Sequence, residues 1–279
     1  MSIVVFGQGF VGTRLARDLP GAKLLPTDIT DRAAVLAALR EHRPSAVVNA
    51  AGKTGKPNVD WCETHQIETY RGNVQGPLVL ADACAEASVY LLHLASGCIF
   101  YGDSPSPGGW LEDDFANPTA FYSRTKYAAD LVLSGLPNVG IARLRMPIDG
   151  EPSARNLITK LAGYREIIDV ENSVTVVADL VQAVGALVEK RGQGVFHVTN
   201  PGGMRHRDLL ALYTELVDPS HTYTAITPED LVARGLAATA RSNCILQSPR
   251  LAALGISLRP IDVALRDAMT SYARAKGRS

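Results

Sequence analysis

Tyr122 and Lys126 stand four residues apart in the run Tyr-Ser-Arg-Thr-Lys, so on a helix the phenol and the ammonium share one face. A free phenol has a pKa of about 10, and a cation within several ångströms favours the phenolate and brings the group into working range for proton transfer. Ser96 follows the apolar run Val89 to Leu94, where a hydroxyl at the carboxyl end of a strand can join a tyrosine in holding a carbonyl oxygen. Cys98 lies two residues further on; it projects to the same side as Ser96 if the strand continues, and a nearby cation can tune a thiol for proton transfer. Near the start, Gly7-Gln8-Gly9-Phe10-Val11-Gly12 spells G-x-G-x-x-G directly after Ile3 to Phe6. The first glycine permits a tight turn, the second lets the backbone approach a pyrophosphate, and the third lets helix and strand pack closely. Its place as the first strand-to-helix turn points to a dinucleotide.

These residues need a scaffold, and the N-terminal half supplies one by alternating short apolar runs with longer helical patterns. Strands are expected at Ile3 to Phe6, Lys23 to Pro26, Ala46 to Asn49, Val89 to Leu94 and Val139 to Leu144. Amphipathic helices fall between them, among them Asp31 to His42 and Val74 to Ala87. The pattern is that of an α/β protein with a Rossmann-type doubly wound parallel sheet. After Arg145-Met146-Pro147 it loosens, then gives a strand over Glu166 to Val170, a helix over Ala178 to Glu189, a strand over Val195 to Thr199 and a helical C-terminal section. The expected layout is a dinucleotide-binding domain of residues 1–146 and 165–198, with a smaller C-terminal substrate lobe of residues 147–164 and 199–279.

With 279 residues, 46 % hydrophobic and 20 % charged, the chain is an ordinary globular one that can bury a real core. The 28 Lys+Arg balance the 28 Asp+Glu, leaving no basic field for a nucleic acid polymer. No apolar run approaches the roughly 18 residues of a membrane span, and Met1-Ser2 runs straight into the first strand without a signal peptide, which leads us to expect a cytoplasmic protein. Cys62, Cys84, Cys98 and Cys244 lack metal-ligand spacing, so no metal site is expected. Cys84, Cys244 and His93 read as packing residues, Cys62 as part of a pocket wall, and His206 as part of a solvated turn between Arg205 and Arg207.

The glycine turn, Asn49-Ala50-Ala51-Gly52, Ser96 and the Tyr122/Lys126 pair resemble an extended short-chain dehydrogenase/reductase. More narrowly, Pro57 to Glu63, Gly97 to Phe100, Phe121 to Ser123, Arg143 to Ile148, Arg155 to Lys160, Thr199 to Gly202 and Arg241 to Asn243 resemble the bifunctional nucleotide-4-keto-6-deoxyglucose 3,5-epimerase/4-reductases of plant rhamnose synthesis. The dTDP-4-dehydrorhamnose reductases and GDP-fucose synthases are similar at greater distance. Gln8, Phe10 and the segment Asp149 to Ser153 depart from the family's pattern.

The resemblance implies a nucleotide-diphosphate sugar as substrate and NADPH as cofactor, with NADH left open. Tyr122 would protonate O4, Lys126 would bind the nicotinamide ribose and lower the tyrosine pKa, and Ser96 would position the ketone. Cys98 and Lys160 would move the protons on C3 and C5, which the C4 ketone acidifies. Cofactor contacts are expected from Gly7, Gly9, Phe10, Val11, Gly12, Asp28, Ile29, Asn49, Ala50, Ala51 and Gly52. Substrate contacts are expected from Asn58, Trp61, Cys98, Asn156, Arg241 and Asn243. Arg205, Arg207 and Arg250 are alternative diphosphate partners, and Arg14, Lys23 and Arg32 are candidates for the cofactor's 2′ position. A homodimer is compatible with the sequence. The rivals are a plain 4-ketoreductase and a cofactor-binding regulatory subunit without chemistry.

Overall fold

The computed structural model describes residues 1–277. Its centre is a six-stranded, wholly parallel sheet of β1 (Ile3–Phe6), β2 (Ala22–Leu25), β3 (Ala46–Asn49), β4 (Tyr90–Ser96), β5 (Val139–Leu144) and β6 (Gly194–His197), in the order β2-β1-β3-β4-β5-β6. Near-continuous apolar runs such as Ile-Val-Val-Phe suit strands covered on both faces. Alternation divides them: Ile3 and Val5 join one core cluster, Val4 and Phe6 the other. The first cluster takes Leu15 from α1 (Phe10–Asp18). The second takes Val35 and Leu39 from α2 (Arg32–His42) and Leu80 from α3 (Gly76–Glu86). Ala129 and Leu133 of α4 (Phe121–Leu133) pack in that second cluster too.

Strand order reverses at β1: the chain leaves it for β2 on one side and returns to β3 on the other. Phe6 pairs with Asn49 in register, and Ala50 N–H donates to Phe6 O at 2.8 Å, so the two strand ends open side by side into one crevice.

A separate cluster forms the core of the C-terminal lobe. It joins Ile158 and Leu161 of α5 (Leu157–Ala162) to Leu209 and Tyr213 of α7 (His206–Leu216), and to Leu265 and Met269 of α8 (Ile261–Lys276). Ile167, Val174 and Val176 belong to it as well, and Glu166–Ile168 pairs with Thr224–Ile226 rather than with the main sheet. The expected boundary at residue 165 is therefore displaced. The chain rejoins the main sheet only with α6 (Val177–Lys190), whose Leu180, Val184 and Leu187 pack on the first cluster. A three-residue apolar strand has the same local pattern in either place, and its partner decides. No helix among the described residues is long and apolar enough to cross a membrane.

The glycines of the first turn answer to space. A Cβ on Gly12 would stand 1.9 Å from Gly7 O, whereas one on Gly9 meets nothing within 4 Å. Gly12→Ala is therefore expected to cost about 1–3 kcal/mol or more by overpacking, and Gly9→Ala less than about 1 kcal/mol; urea midpoints of the two variants check this.

Candidate active site

At the mouth of β1, Gly7 takes a positive φ of 105° and its backbone lies against Ala51, where a Cβ would meet Ala51 N at 2.3 Å. Gly9 precedes α1 without a side-chain cap, so the first backbone N–H groups of that helix, those of Phe10 and Val11, face outward with the helix dipole behind them. A cleft lined by Gly7, Gln8, Asp28, Ala51, Gly52 and Lys53 runs from this turn past the end of β2, with a cavity of about 240 Å³. Asp28 turns back on its own loop, accepting from Thr30 N at 2.9 Å and Thr30 Oγ1 at 2.8 Å, and those bonds hold its carboxyl below the usual range. Ile29 is buried beside it. The three cations considered for the 2′ position are elsewhere. Arg14 pairs with Asp18 and Asp149, Arg32 with Asp82 and Glu86, and Lys23 is exposed in mid-strand.

Across the switch point, β4 ends at Ser96. The strand does not continue to Cys98: Gly97–Ile99 is a single 3₁₀ turn, and Ser96 Oγ accepts from Cys98 N at 3.1 Å. The turn, not strand alternation, brings hydroxyl and thiol together. Tyr122 sits in the first turn of α4, hydrogen-bonded to Ser96. Glu63 Oε1, from the short helix Trp61–Thr64, accepts from Phe121 N at 2.7 Å and fixes the start of that helix. Burial pushes the Tyr122 phenol upward, the nearby Cys98 sulfur pushes the same way, and the Ser96 bond opposes them.

Lys126 shares the helix but points into the sheet. Its Nζ lies 3.1 Å from Leu94 O and 3.3 Å from His93 Nε2, and His93 Nδ1 lies 3.0 Å from Asn49 Nδ2. Burial takes Lys126 down to about 8, with Asp130 pulling the other way. The expectation that Lys126 lowers the tyrosine pKa thus has no counterpart here, because the ammonium end is turned to the β4 backbone.

The lobe contributes the far wall. Cys98 is the one cysteine that is not buried among the described residues, and Arg145 Nη1 donates to its Sγ at 3.3 Å. Arg145 is 1 % exposed; its other partners are Ser242 Oγ at 3.0 Å, Ser242 O at 2.5 Å and Asn172 Oδ1, all neutral. Lys160 is half-buried on α5, and burial, then Arg155, pushes its pKa down. Trp61 stacks on His65 at 3.9 Å, with Lys53 Nζ 5.6 Å above its ring. Arg241 is clamped by Asp60, two bonds of 2.6 and 2.7 Å between lobe and sheet domain. Asn58 Oδ1 accepts from Asp60 N at 2.8 Å, and Asn243 Oδ1 from Asn172 Nδ2 at 3.2 Å.

Two expectations change. Asn156 is fully buried and spends its side chain inside the protein: Oδ1 accepts from Ile158 N at 3.1 Å, and Nδ2 donates to Asp149 O at 2.7 Å and Glu151 O at 2.9 Å. It caps α5 and so carries Lys160, without presenting an amide to the cleft. His206 is buried rather than solvated, bonded to Ile168 O at 2.8 Å. Arg145 and His93 are the residues sequence reasoning missed as site components. Each reads locally as part of an apolar strand or its end, and only tertiary packing shows what it touches.

The family model described as RmlD substrate binding domain matches residues 1–274. Over 208 residues the chain is 41 % identical to the bifunctional dTDP-4-dehydrorhamnose 3,5-epimerase/dTDP-4-dehydrorhamnose reductase of Arabidopsis thaliana, covering 72 % of this chain and 69 % of that one. It is 38 % identical over 208 residues, 72 % of this chain, to an Arabidopsis thaliana trifunctional UDP-glucose 4,6-dehydratase/UDP-4-keto-6-deoxy-D-glucose 3,5-epimerase/UDP-4-keto-L-rhamnose-reductase, but spans only 31 % of that protein's length. The crystal structure of the L780 UDP-rhamnose synthase from Acanthamoeba polyphaga mimivirus superposes with a TM-score of 0.90 at 27 % identity, covering 97 % of this chain and 99 % of that one.

Asn156→Ala should act on the lobe before it acts on any ligand. Loss of a helix cap costs about 0.5–2 kcal/mol, and stranding buried carbonyls costs about 1–3 kcal/mol more. A lower denaturation midpoint is expected; a wild-type midpoint combined with selective loss of substrate affinity would return Asn156 to the binding site.

Proposed function

The chain belongs to the RmlD substrate-binding domain family, and from that premise we propose that it is an NADPH-dependent enzyme that inverts C3 and C5 of an NDP-4-keto-6-deoxy-hexose and then reduces the C4 ketone, giving an NDP-6-deoxy-L-sugar such as NDP-L-rhamnose. The observation that carries the reading is the grouping of Ser96, Tyr122, Lys126 and Cys98 at the carboxyl ends of β4 and the first turns of α4, beside the crevice where β1 and β3 part.

The residues of the first turn fit the cofactor. Gly7 and Gly12 have no room for a side chain, Gly9 leaves open space, and uncapped N–H groups face the position a pyrophosphate would take. Asp28 accepts both Thr30 bonds on Oδ1, which turns its carboxyl toward its own loop, while Lys53 lines the same cleft. Lys53 is the cation there that favours the phosphorylated dinucleotide. When bound, NADPH supplies the hydride for C4.

The protein's own groups do the rest. Tyr122 is kept protonated by burial, so it can give a proton to O4 as the carbonyl becomes an alcohol, and the Ser96 hydroxyl holds that oxygen. Lys126 lies one turn along α4 and is assigned to the nicotinamide ribose, a contact for which its amine would leave Leu94 O and His93. For epimerisation, one group must take a carbon proton and another must return one on the opposite face. Cys98 suits the first task because Arg145 places a buried cation against its sulfur, able to stabilise the thiolate that takes the carbon proton and becomes a neutral thiol as the charge passes to the enolate. Lys160 suits the second, as a half-buried amine whose pKa is brought down. Arg241, once released from Asp60, is the cation for the diphosphate, and Trp61 and Asn58 line its approach. We take residues 1–146 with 177–198 as the dinucleotide domain and the remainder as the substrate lobe.

Incubation with UDP- and dTDP-4-keto-6-deoxyglucose plus NADPH, with identification of the product sugar, tests the assignment directly. Tyr122→Phe should slow ketone reduction by about 10² to 10⁴ while cofactor binding, read by NADPH fluorescence, is unchanged. Near wild-type reduction by that variant would remove the tyrosine from the role of acid.

The epimerase half is separable. Turnover in D₂O should place solvent deuterium at C3 and C5, and Cys98→Ala should suppress that exchange while leaving reduction of a ketone already in the L-configuration largely intact. A wild-type product without deuterium at either carbon would leave a plain 4-ketoreductase.

A further inference from the structure

His93 is fully buried in the middle of β4, and its ring lies between the Asn49 side chain at the end of β3 and Lys126 of α4. On one side Asn49 Nδ2 lies 3.0 Å from Nδ1; on the other Lys126 Nζ lies 3.3 Å from Nε2. The orientation of the Asn49 amide is set independently. Its Oδ1 accepts from Ala51 N at 3.0 Å, which turns the NH₂ toward the histidine. An amide NH₂ only donates, so Nδ1 must accept, and a neutral ring then carries its proton on Nε2. The ring is neutral, because complete burial drives the His93 pKa well below its usual value. An Nε2–H therefore points at Lys126 Nζ. An ammonium has no lone pair to receive it, whereas an amine has one and still keeps two protons, one of them for Leu94 O at 3.1 Å.

We propose that His93 is a positioning residue that favours the free-amine form of Lys126 over the ammonium in the cofactor-free enzyme, through the donor chain Ala51 N–H to Asn49, Asn49 to His93, and His93 to Lys126.

The surroundings agree. Lys126 is 4 % exposed and makes no ion pair among those found for the described residues. Asp130, one turn on along α4, already has a cation, since Arg143 of β5 donates to its Oδ2 at 2.8 Å. Tyr122, one turn back, presents a phenol pushed up by burial and hence uncharged. The β4 side offers the Leu94 carbonyl and His93 alone. A buried ammonium thus lacks a counter-charge of its own, and the hydrogen bond to the free-base form disfavours it further. Charging Lys126 would require the proton on His93 to move to Nδ1 and the Asn49 amide to turn over. That would release Ala51 N, which belongs to the turn lining the cofactor cleft. Lys126 protonation and the shape of the Asn49–Gly52 turn are in this way one equilibrium. It stands whichever sugar is reduced.

The test uses the full-length enzyme without cofactor or substrate, so it cannot be confused with failure of the assigned reaction. Above pH 8, long-range ¹H–¹⁵N correlation of the histidine ring should show the Nε2–H tautomer for His93. The Lys126 ¹³Cε resonance should titrate near 8, the value to which burial brings it. In His93→Leu, which has no donor, the midpoint should rise by about one unit; in His93→Gln, whose amide NH₂ can face Lys126, it should stay near wild type. An Nδ1–H tautomer, or a Lys126 midpoint that is the same in wild type and His93→Leu, would overturn the proposal. Should His93→Leu not fold, the tautomer and midpoint measured in the wild type decide alone, with Nδ1–H or an amine still charged at pH 10 counting against it.

Discussion

Everything in the cleft depends on how closely three pieces of backbone approach where β1 and β3 part. Gly7 lies against Ala51, Gly12 lies against Gly7 O, and neither glycine can accept a methyl group without moving the other strand or the helix. This contact fixes α1 at an angle that directs its free N–H groups into the crevice, and it holds the Asn49–Gly52 turn at the same place. The sheet is parallel, so the carboxyl ends of β4 and β5 rise on the same edge. Ser96 and Arg145 consequently face the opening that Gly9 faces. The site is a product of strand order before it is a product of any side chain.

Charge is the second constraint. The chain buries Lys126, Asp130, Arg143 and Arg145 within a few residues of one another along α4 and β5, and only one pair among them is an ion pair. Arg143 and Asp130 neutralise each other. Arg145 bonds amide, hydroxyl and carbonyl groups and the Cys98 sulfur through its two terminal nitrogens, while its buried Nε finds no partner. A buried guanidinium with no carboxylate is costly unless something nearby takes up negative charge. On the proposed reading that something is the cysteine, as the thiolate that precedes removal of a carbon proton. The lobe is tied to the sheet domain by ion pairs that run from the interior to the surface: Arg14 and Arg17 of α1 hold the buried Asp149 and the exposed Glu151, and Asp60 holds the part-buried Arg241. Asp149 to Ser153 is the segment whose sequence departs from the family's pattern, and its departure includes these acidic partners.

Legibility in the sequence followed the range of the interactions. The strands of the main sheet and the helices α2 and α6 lie within a few residues of their expected bounds, because periodicity and capping are local. The glycine turn was legible for the same reason. What failed were inferences that needed a partner from elsewhere. The strand near Glu166 exists but pairs with Thr224–Ile226, so it belongs to the lobe. Cys98 reaches Ser96 through a 3₁₀ turn that Ser96 itself caps, not through strand alternation. Lys126 has the helical spacing that faces it toward Tyr122, yet burial against β4 leads its amine to Leu94 O and His93. Asn156 is expected to bind substrate because the segment Arg155 to Lys160 resembles the family's, and the chain folds back to consume its amide.

On the proposed reading, the position of Cys98 bears on how one cleft would serve two reactions in sequence. Its sulfur is, after burial itself, the largest influence holding the Tyr122 proton in place. While the sulfur carries charge, the phenol is at its least acidic and is reserved from premature transfer. When the sulfur takes a proton from carbon, that influence is relieved and the phenol becomes a better acid, at the stage where the ketone is next to be reduced. Arg145 limits the effect by sharing the sulfur's charge from the opposite side, and Ser96 limits it by bonding the phenol. On the proposed reading, then, the order of the two half-reactions needs no moving part: it follows from placing a thiol that changes charge beside a buried phenol that must not give up its proton first.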